Sequence, residues 1–252
     1  VTAASEGPRD RPLPGGHIHR VVRVADTVRR APAPRSPYVH ELLALFERRG
    51  WPGAPRFLGV DEDGRETFTY VPGRAALTAA DRRAARTDEG LAQLAVLIRE
   101  FHDLTAGTPL AEGREVVCHH DLDPRNTVYT EDGSWRPVAL VDWDLAAPGR
   151  RVEDVAHLCW QHLELGPDAG DPAEAARLMR LVCDAYGLDA VGRAPLLDTV
   201  LWWQDRCWRG IAAGAERGDP AMLRLRGAGV VERVRDAHRW VAARRAALEA
   251  RL

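Results

Sequence analysis

The chain has 252 residues, with 35 basic and 37 acidic side chains and a formal net charge of -2. All 35 basic residues are arginine, which excludes a Schiff-base lysine, a phosphate-loop lysine and a lysine that holds ATP phosphates. Near-neutral charge removes the electrostatic case for a nucleic-acid partner. A hydrophobic content of 45% supplies one large core or two smaller ones.

The first elements read as short strands. Leu13-Pro14-Gly15-Gly16 punctuates the chain before His17 to Val24, where β-branched residues favour a strand. Ala25-Asp26 turns it into a second strand, Thr27 to Arg30, ahead of a Pro-rich break. From Tyr38 to Arg49 the apolar positions 39, 42, 43 and 46 predict a helix, opened by Ser36-Pro37 and stopped at Gly50. Arg56 to Val60 and Glu66 to Val71 flank an acidic turn as two more strands.

Val71-Pro72-Gly73 marks a boundary, dividing the chain into residues 1–72 and 73–252. Beyond it the periodicity is helical over about 89–106, 153–164, 172–187, 195–217 and 229–250. Two β-prone runs interrupt the series, Thr127 to Tyr129 and Pro137 to Val141. The fold class expected is α+β, with a small sheet-rich N-terminal lobe and a larger, mostly helical C-terminal lobe.

Cysteines 118, 159, 183 and 207 show no close paired spacing, so neither a disulfide scaffold nor a thiolate zinc site is expected. Buried, reduced cysteines suit the cytoplasm. The N-terminus lacks an apolar signal core, and no window approaches the roughly 20 apolar residues of a membrane span. A cytoplasmic protein without a membrane partner is expected.

The densest chemical signal is Cys118-His119-His120-Asp121-Leu122-Asp123-Pro124-Arg125-Asn126, followed after an apolar strand by Val141-Asp142-Trp143-Asp144. An Asp and an Asn five residues apart in a loop can do separate jobs. Asp121 is suited to orient a hydroxyl and accept its proton, and Asn126 to offer magnesium a neutral oxygen. Asp142 adds an anionic oxygen for the same ion. His119 suits hydrogen bonding within the loop better than zinc binding. Asp123-Pro124 is also a good turn former and explains part of the cluster without chemistry.

This order of residues resembles the aminoglycoside phosphotransferase family, which shares its architecture with protein, choline and homoserine kinases. In the family's His-Gly-Asp-x-x-x-x-Asn loop, His119, Asp121 and Asn126 match, while His120 replaces the glycine. The magnesium aspartate matches Asp142, and Asp154 matches a later structural element that organises loop and helix. Gly15 and Gly16 lie where the family has its glycine turn over ATP. Arg29 or Arg30 takes the place of the ATP-orienting lysine, a planar fork in place of a point charge. Glu41 is the matching acid on the following helix, with His40 beside it, and Tyr70 and Val71 resemble the adenine-binding hinge.

The resemblance implies ATP and Mg²⁺ as cofactors and transfer of the γ-phosphoryl group to a hydroxyl of a small molecule, with or without an amine. No protein partner is evident. Residues 141–205 hold twelve acidic side chains and five arginines, a bias that suits a cationic acceptor, with Asp144, Glu153 and Asp205 as rim candidates. Trp202, Trp203 and Trp208 either cover a ligand or fill the core. Two other readings stand beside this one. The first is a weak or inactive member that binds a nucleotide or small molecule, favoured by the missing lysine. The second is a helical interaction protein using the basic stretch Arg224 to Arg251.

Overall fold

The computed structural model describes residues 11–12 and 21–252. Five antiparallel strands come first: β1 (Arg11–Pro12), β2 (Val22–Val24), β3 (Thr27–Arg30), β4 (Phe57–Val60) and β5 (Glu66–Thr69), in the order β1-β2-β3-β5-β4. The turn at Ala25-Asp26 joins β2 to β3 as expected, while Gly15, Gly16 and the first half of the expected strand, residues 17–20, lie outside the described residues. Helix α1 (Ser36–Arg48) connects β3 to β4 and buries the stripe Val39, Leu42, Leu43 and Phe46. The register of β3 against β5 sets Arg30 directly opposite Glu66, which decides the chemistry described below.

The second lobe opens with α2 (Ala79–Ala85) and α3 (Asp88–Thr105). Four short strands follow: β6 (Val116–Cys118), β7 (Thr127–Tyr129), β8 (Pro137–Leu140) and β9 (Ala147–Gly149). They pair as two ribbons, β6 with β9 and β7 with β8. The loop from β6 to β7 and the loop from β8 to β9 therefore emerge side by side, which brings residues 119–126 and 141–146 together. The lobe is completed by α4 (Arg151–His162), α5 (Pro172–Tyr186), α6 (Ala190–Arg193), α7 (Leu196–Glu216), α8 (Pro220–Gly227), α9 (Val230–Ala243) and α10 (Arg245–Glu249).

Gly73 lies where the chain passes from sheet to helices. Its φ of +143° is open to glycine, and a Cβ there would come within 2.5 Å of the Tyr129 carbonyl oxygen. The close approach lets Arg74 N–H donate to Tyr129 O at 3.0 Å and Tyr129 N–H donate to Arg74 O at 2.8 Å. The largest buried aromatic, Trp143, joins the layers from the other side. Its ring lies 5.1 Å from Phe46 of α1 and 5.1 Å from Phe101 of α3.

The C-terminal stretch differs from expectation. Gly229, at φ +71°, separates α8 from α9 and Arg244 separates α9 from α10, so Arg224 to Arg251 is three helices rather than one. The apolar face of α9 packs on α7, burying Val234 and Val241. Its periodicity is consumed by the protein's own core. No helix among the described residues is long and apolar enough to cross a membrane.

Candidate active site

The loop after β6 is built around a buried carboxylate from α4. Asp154 accepts from the backbone N–H of His119 at 2.7 Å and of His120 at 2.9 Å, and from His102 Nε2 at 3.0 Å. Burial would raise its pKa, but the hydrogen bond and charge of His102, with His120 and His119 nearby, hold it well below the carboxylate range. Asp154 thus acts as the loop's anion, fixed at full burial.

His119 links the two loops. Its Nε2–H donates to Val141 O at 3.1 Å, and its Nδ1 accepts from the Asp121 N–H at 3.2 Å. Burial pushes its pKa down to about 4, so the ring is neutral and its tautomer is set by these two bonds. Its role in this geometry is to position Asp121 and Asp142 relative to each other. The structure thus places His119, expected among the catalytic residues, between the two loops.

Asn126 Nδ2 donates to both the carbonyl oxygen and Oδ2 of Asp121, at 3.0 and 2.8 Å. With its nitrogen committed, the amide presents its oxygen as the remaining ligand atom. The Val141 N–H donates to Asn126 O at 2.9 Å, which ties the metal-binding candidates through adjacent backbone. Asp142 is left-handed at φ 63°, ψ 64°, and its side chain is about half exposed at 51%. An amide oxygen beside a solvent-facing carboxylate is a hard-oxygen donor set that fits Mg²⁺. Burial, then the charges of Asp123 and Asp142, raise Asp121 to about 7, against the pull of Arg125 and Asn126. A carboxyl poised there can take a hydroxyl proton near neutral pH.

Of the two arginine candidates, the structure brings Arg30 to this site. Its terminal nitrogens grip Asp144 at 2.6 and 2.7 Å, its Nε donates to Glu66 at 3.1 Å, and Asp142 lies 3.8 Å away. Arg29 turns aside to Asp61 at 3.3 Å. The helix acid Glu41 is exposed, and the acid that meets Arg30 is Glu66, from the facing strand. His40, next to Glu41, does turn inward: it donates to Glu66 at 2.7 Å and stacks on Phe57 at 3.5 Å. Glu66 was missed by sequence reasoning, although its alternation with Phe68 on one strand face is a readable signal.

Tyr70 and Val71 follow β5, where the Tyr70 N–H donates to Asp26 O at 2.9 Å. Asp144, expected at a pocket rim, is instead Arg30's clamp. Glu153 meets His120 at 3.0 Å, and Asp205 pairs with Arg209 on its own helix. Trp203 is core, its Nε1–H donating to Glu153 O at 2.8 Å, whereas Trp202 is 48% exposed.

Comparison with known proteins fits this geometry. Residues 103–195, which contain both loops, match the model of the phosphotransferase enzyme family. The chain is 31% identical to the trifolitoxin immunity protein of Rhizobium leguminosarum bv. trifolii, over 75% of this chain and 78% of that relative. The chain belongs to the phosphotransferase enzyme family. Solved structures share its two-lobed architecture. A choline/ethanolamine kinase family protein from Mesorhizobium loti superposes with a TM-score of 0.62 at 15% identity, covering 94% of each chain. The GDP complex of aminoglycoside 2′-phosphotransferase-IIIa gives 0.60 at 15% identity, covering 91% of this chain and 93% of that one. These likenesses show the shared two-lobed fold.

Proposed function

We propose that this protein is an immunity-type member of the family, a self-protection factor that binds a nucleotide or small ligand in the cleft and transfers phosphate slowly or not at all. The observation that carries this reading is the closed fork of Arg30. In the lysine's place stands a guanidinium whose three nitrogens already serve Asp144 and Glu66. Burial and bidentate geometry make that pairing strong, so a triphosphate must compete with it. The name of the relative, an immunity protein against trifolitoxin, supports the biological role. In this reading residues 1–72 and 73–252 form the two walls of the cleft. Asn126 and Asp142 would hold Mg²⁺, which supplies electrostatic cover for phosphate oxygens when bound.

A second reading, an active ATP-dependent small-molecule kinase, is favoured by Asp121, Asn126 and Asp142 converging as a complete set. There Asp121 would hold the acceptor hydroxyl and receive its proton while the γ-phosphoryl group moves to the hydroxyl oxygen.

One comparison separates the two. Wild type, Asp121→Asn and Asp142→Asn are expressed in a trifolitoxin-sensitive rhizobial strain, and Mg-ATP affinity is measured by calorimetry on the same proteins. The binding reading expects Asp121→Asn to protect like wild type and to keep its Mg-ATP affinity, with Asp142→Asn impaired in affinity. Loss of protection by Asp121→Asn, with affinity intact, favours the kinase. Absence of protection by the wild type overturns the immunity role.

A further inference from the structure

A second constellation is built from the start of the catalytic loop and helix α4. His120 stands where the family pattern has glycine and adopts φ 63°, a left-handed conformation that costs a non-glycine residue energy. The bond from its N–H to Asp154 holds it there at 2.9 Å. The result is an imidazole aimed at α4, where His120 Nε2 meets Glu153 Oε2 at 3.0 Å. Cys118, the last residue of β6, brings its thiol to the same place. The three atoms, Cys118 Sγ, His120 Nε2 and Glu153 Oε2, all lie within 4.8 Å of one another.

Gly149 defines the space between them. A Cβ at that position would lie 2.6 Å from Glu153 Oε2, 2.8 Å from Cys118 Sγ and 3.1 Å from His120 Nε2. All three donors therefore converge on a volume that a side chain would fill and that glycine leaves bare. Cys118 is fully buried, while the His120 and Glu153 side chains keep 14% and 17% exposure. Glu153 also lines a surface cleft of about 230 Å³ with Arg150, Pro195, Asp198, Thr199 and Trp202.

We propose that Cys118, His120 and Glu153 form a binding site for a borderline divalent transition metal of the zinc class, separate from the hard-oxygen pair Asn126 and Asp142. Sulfur, imidazole nitrogen and one carboxylate oxygen are the donor types that select such an ion, and three protein ligands leave a fourth position open. On binding, the Cys118 thiol loses its proton to solvent. The His120 proton shifts from Nε2 to Nδ1, freeing the nitrogen lone pair for the metal. Thiolate and carboxylate then balance the ion's two positive charges. The cysteine spacing alone excludes a polythiolate site, and the fold instead assembles a mixed one around a single cysteine. A neighbouring grouping joins Cys118 to His102 and Asp154, whose carboxylate already serves to hold the loop. Both Asp154 oxygens are occupied by the loop N–H groups and His102.

Cobalt(II) titration of the full chain tests the assignment, because a thiolate ligand produces a near-ultraviolet sulfur-to-cobalt charge-transfer band. The wild type should develop this band at one ion per chain, release a proton as it does so, and lose the band to added Zn²⁺. Cys118→Ser and Gly149→Ala should abolish it. His120→Gly, which suits the left-handed backbone and so keeps the fold, should weaken cobalt affinity by more than about tenfold. Asp142→Asn should leave the band unchanged. No charge-transfer band in the wild type, or a band that survives Cys118→Ser, overturns the proposal. Equal cobalt affinity in His120→Gly and the wild type does so as well.

Discussion

Arg30 closes both terminal nitrogens on Asp144, at 2.6 and 2.7 Å, across the cleft between the sheet and the helical lobe. Glu66 holds the third nitrogen from behind, and His40 holds Glu66. A lysine in this position would offer a compact charge that swings between partners. The guanidinium is a planar fork satisfied by two carboxylates at once. The same pair therefore joins the two lobes.

Removing the cation should be costly for folding. Arg30 and Glu66 have side chains 10% and 1% exposed, so Arg30→Ala leaves a buried carboxylate without its partner. Loss of one member of a buried pair costs about 3–5 kcal/mol. Urea unfolding should show a loss of this order for Arg30→Ala and a much smaller one for Arg29→Ala, whose ion pair with Asp61 is part-exposed. Equal effects would mean that the Arg30 network contributes nothing special.

Loosening the clamp should favour nucleotide. Asp144→Asn removes the negative charge that holds Arg30 while leaving Glu66 to orient it. Mg-ATP affinity by calorimetry should rise by about tenfold, or ~1.4 kcal/mol. Unchanged or weaker affinity would show that Asp144 itself serves the bound nucleotide, and the fork would no longer explain slow transfer.

What the sequence made legible was local. Asp121 and Asn126 sit in one loop at fixed spacing, and Asp142 follows a predicted strand, although the pairings of β6 with β9 and β7 with β8 bring the two loops together. Glu66 was hidden because its role depends on the β3–β5 register, which places it opposite Arg30 from 36 residues away. Helical resemblance pointed to Glu41, whose side chain the rotation of α1 leaves in solvent. Strands β6 and β9 were missed for a different reason. Each is three residues long, and Ala147-Pro148-Gly149 carries two residues that strands disfavour. Similarly, the helix expected over 229–250 is broken at Arg244 into α9 and α10.

The contact at Gly73 should be sensitive to a single methyl group. In Gly73→Ala the new Cβ meets the Tyr129 carbonyl at 2.5 Å and must adopt φ +143°. Strain of this kind costs about 1–3 kcal/mol. Gly64→Ala is the control, since Gly64 also has positive φ, at +75°, but nothing lies within 4 Å of its Cβ position. A larger fall in thermal midpoint for Gly73→Ala isolates the close approach at the Arg74–Tyr129 bridge. Matching falls would assign the whole effect to backbone conformation.

Asp121 should leave a signature in the pH dependence of stability. Burial, followed by the charges of Asp123 and Asp142, raises it from 3.8 to about 7. The folded protein therefore retains a proton that the unfolded chain gives up at lower pH. Its contribution favours the folded state below the ordinary carboxylate range and is lost as pH rises towards about 7, above which it is constant. Asp154 has the opposite sign, because His102 and the loop hold its pKa down. Its stabilisation is present above the ordinary carboxylate range and lost as pH falls into acid. The two windows are thus separable. Asp121→Asn cannot ionise, so the difference in unfolding free energy between about pH 5 and about pH 8 should shift in the mutant's favour at the higher pH. Urea titrations of both proteins at the two pH values measure this directly. A pH-independent difference between them would mean that Asp121 ionises in the folded protein as it does in the unfolded chain, and the case for a carboxyl poised near neutrality would fall.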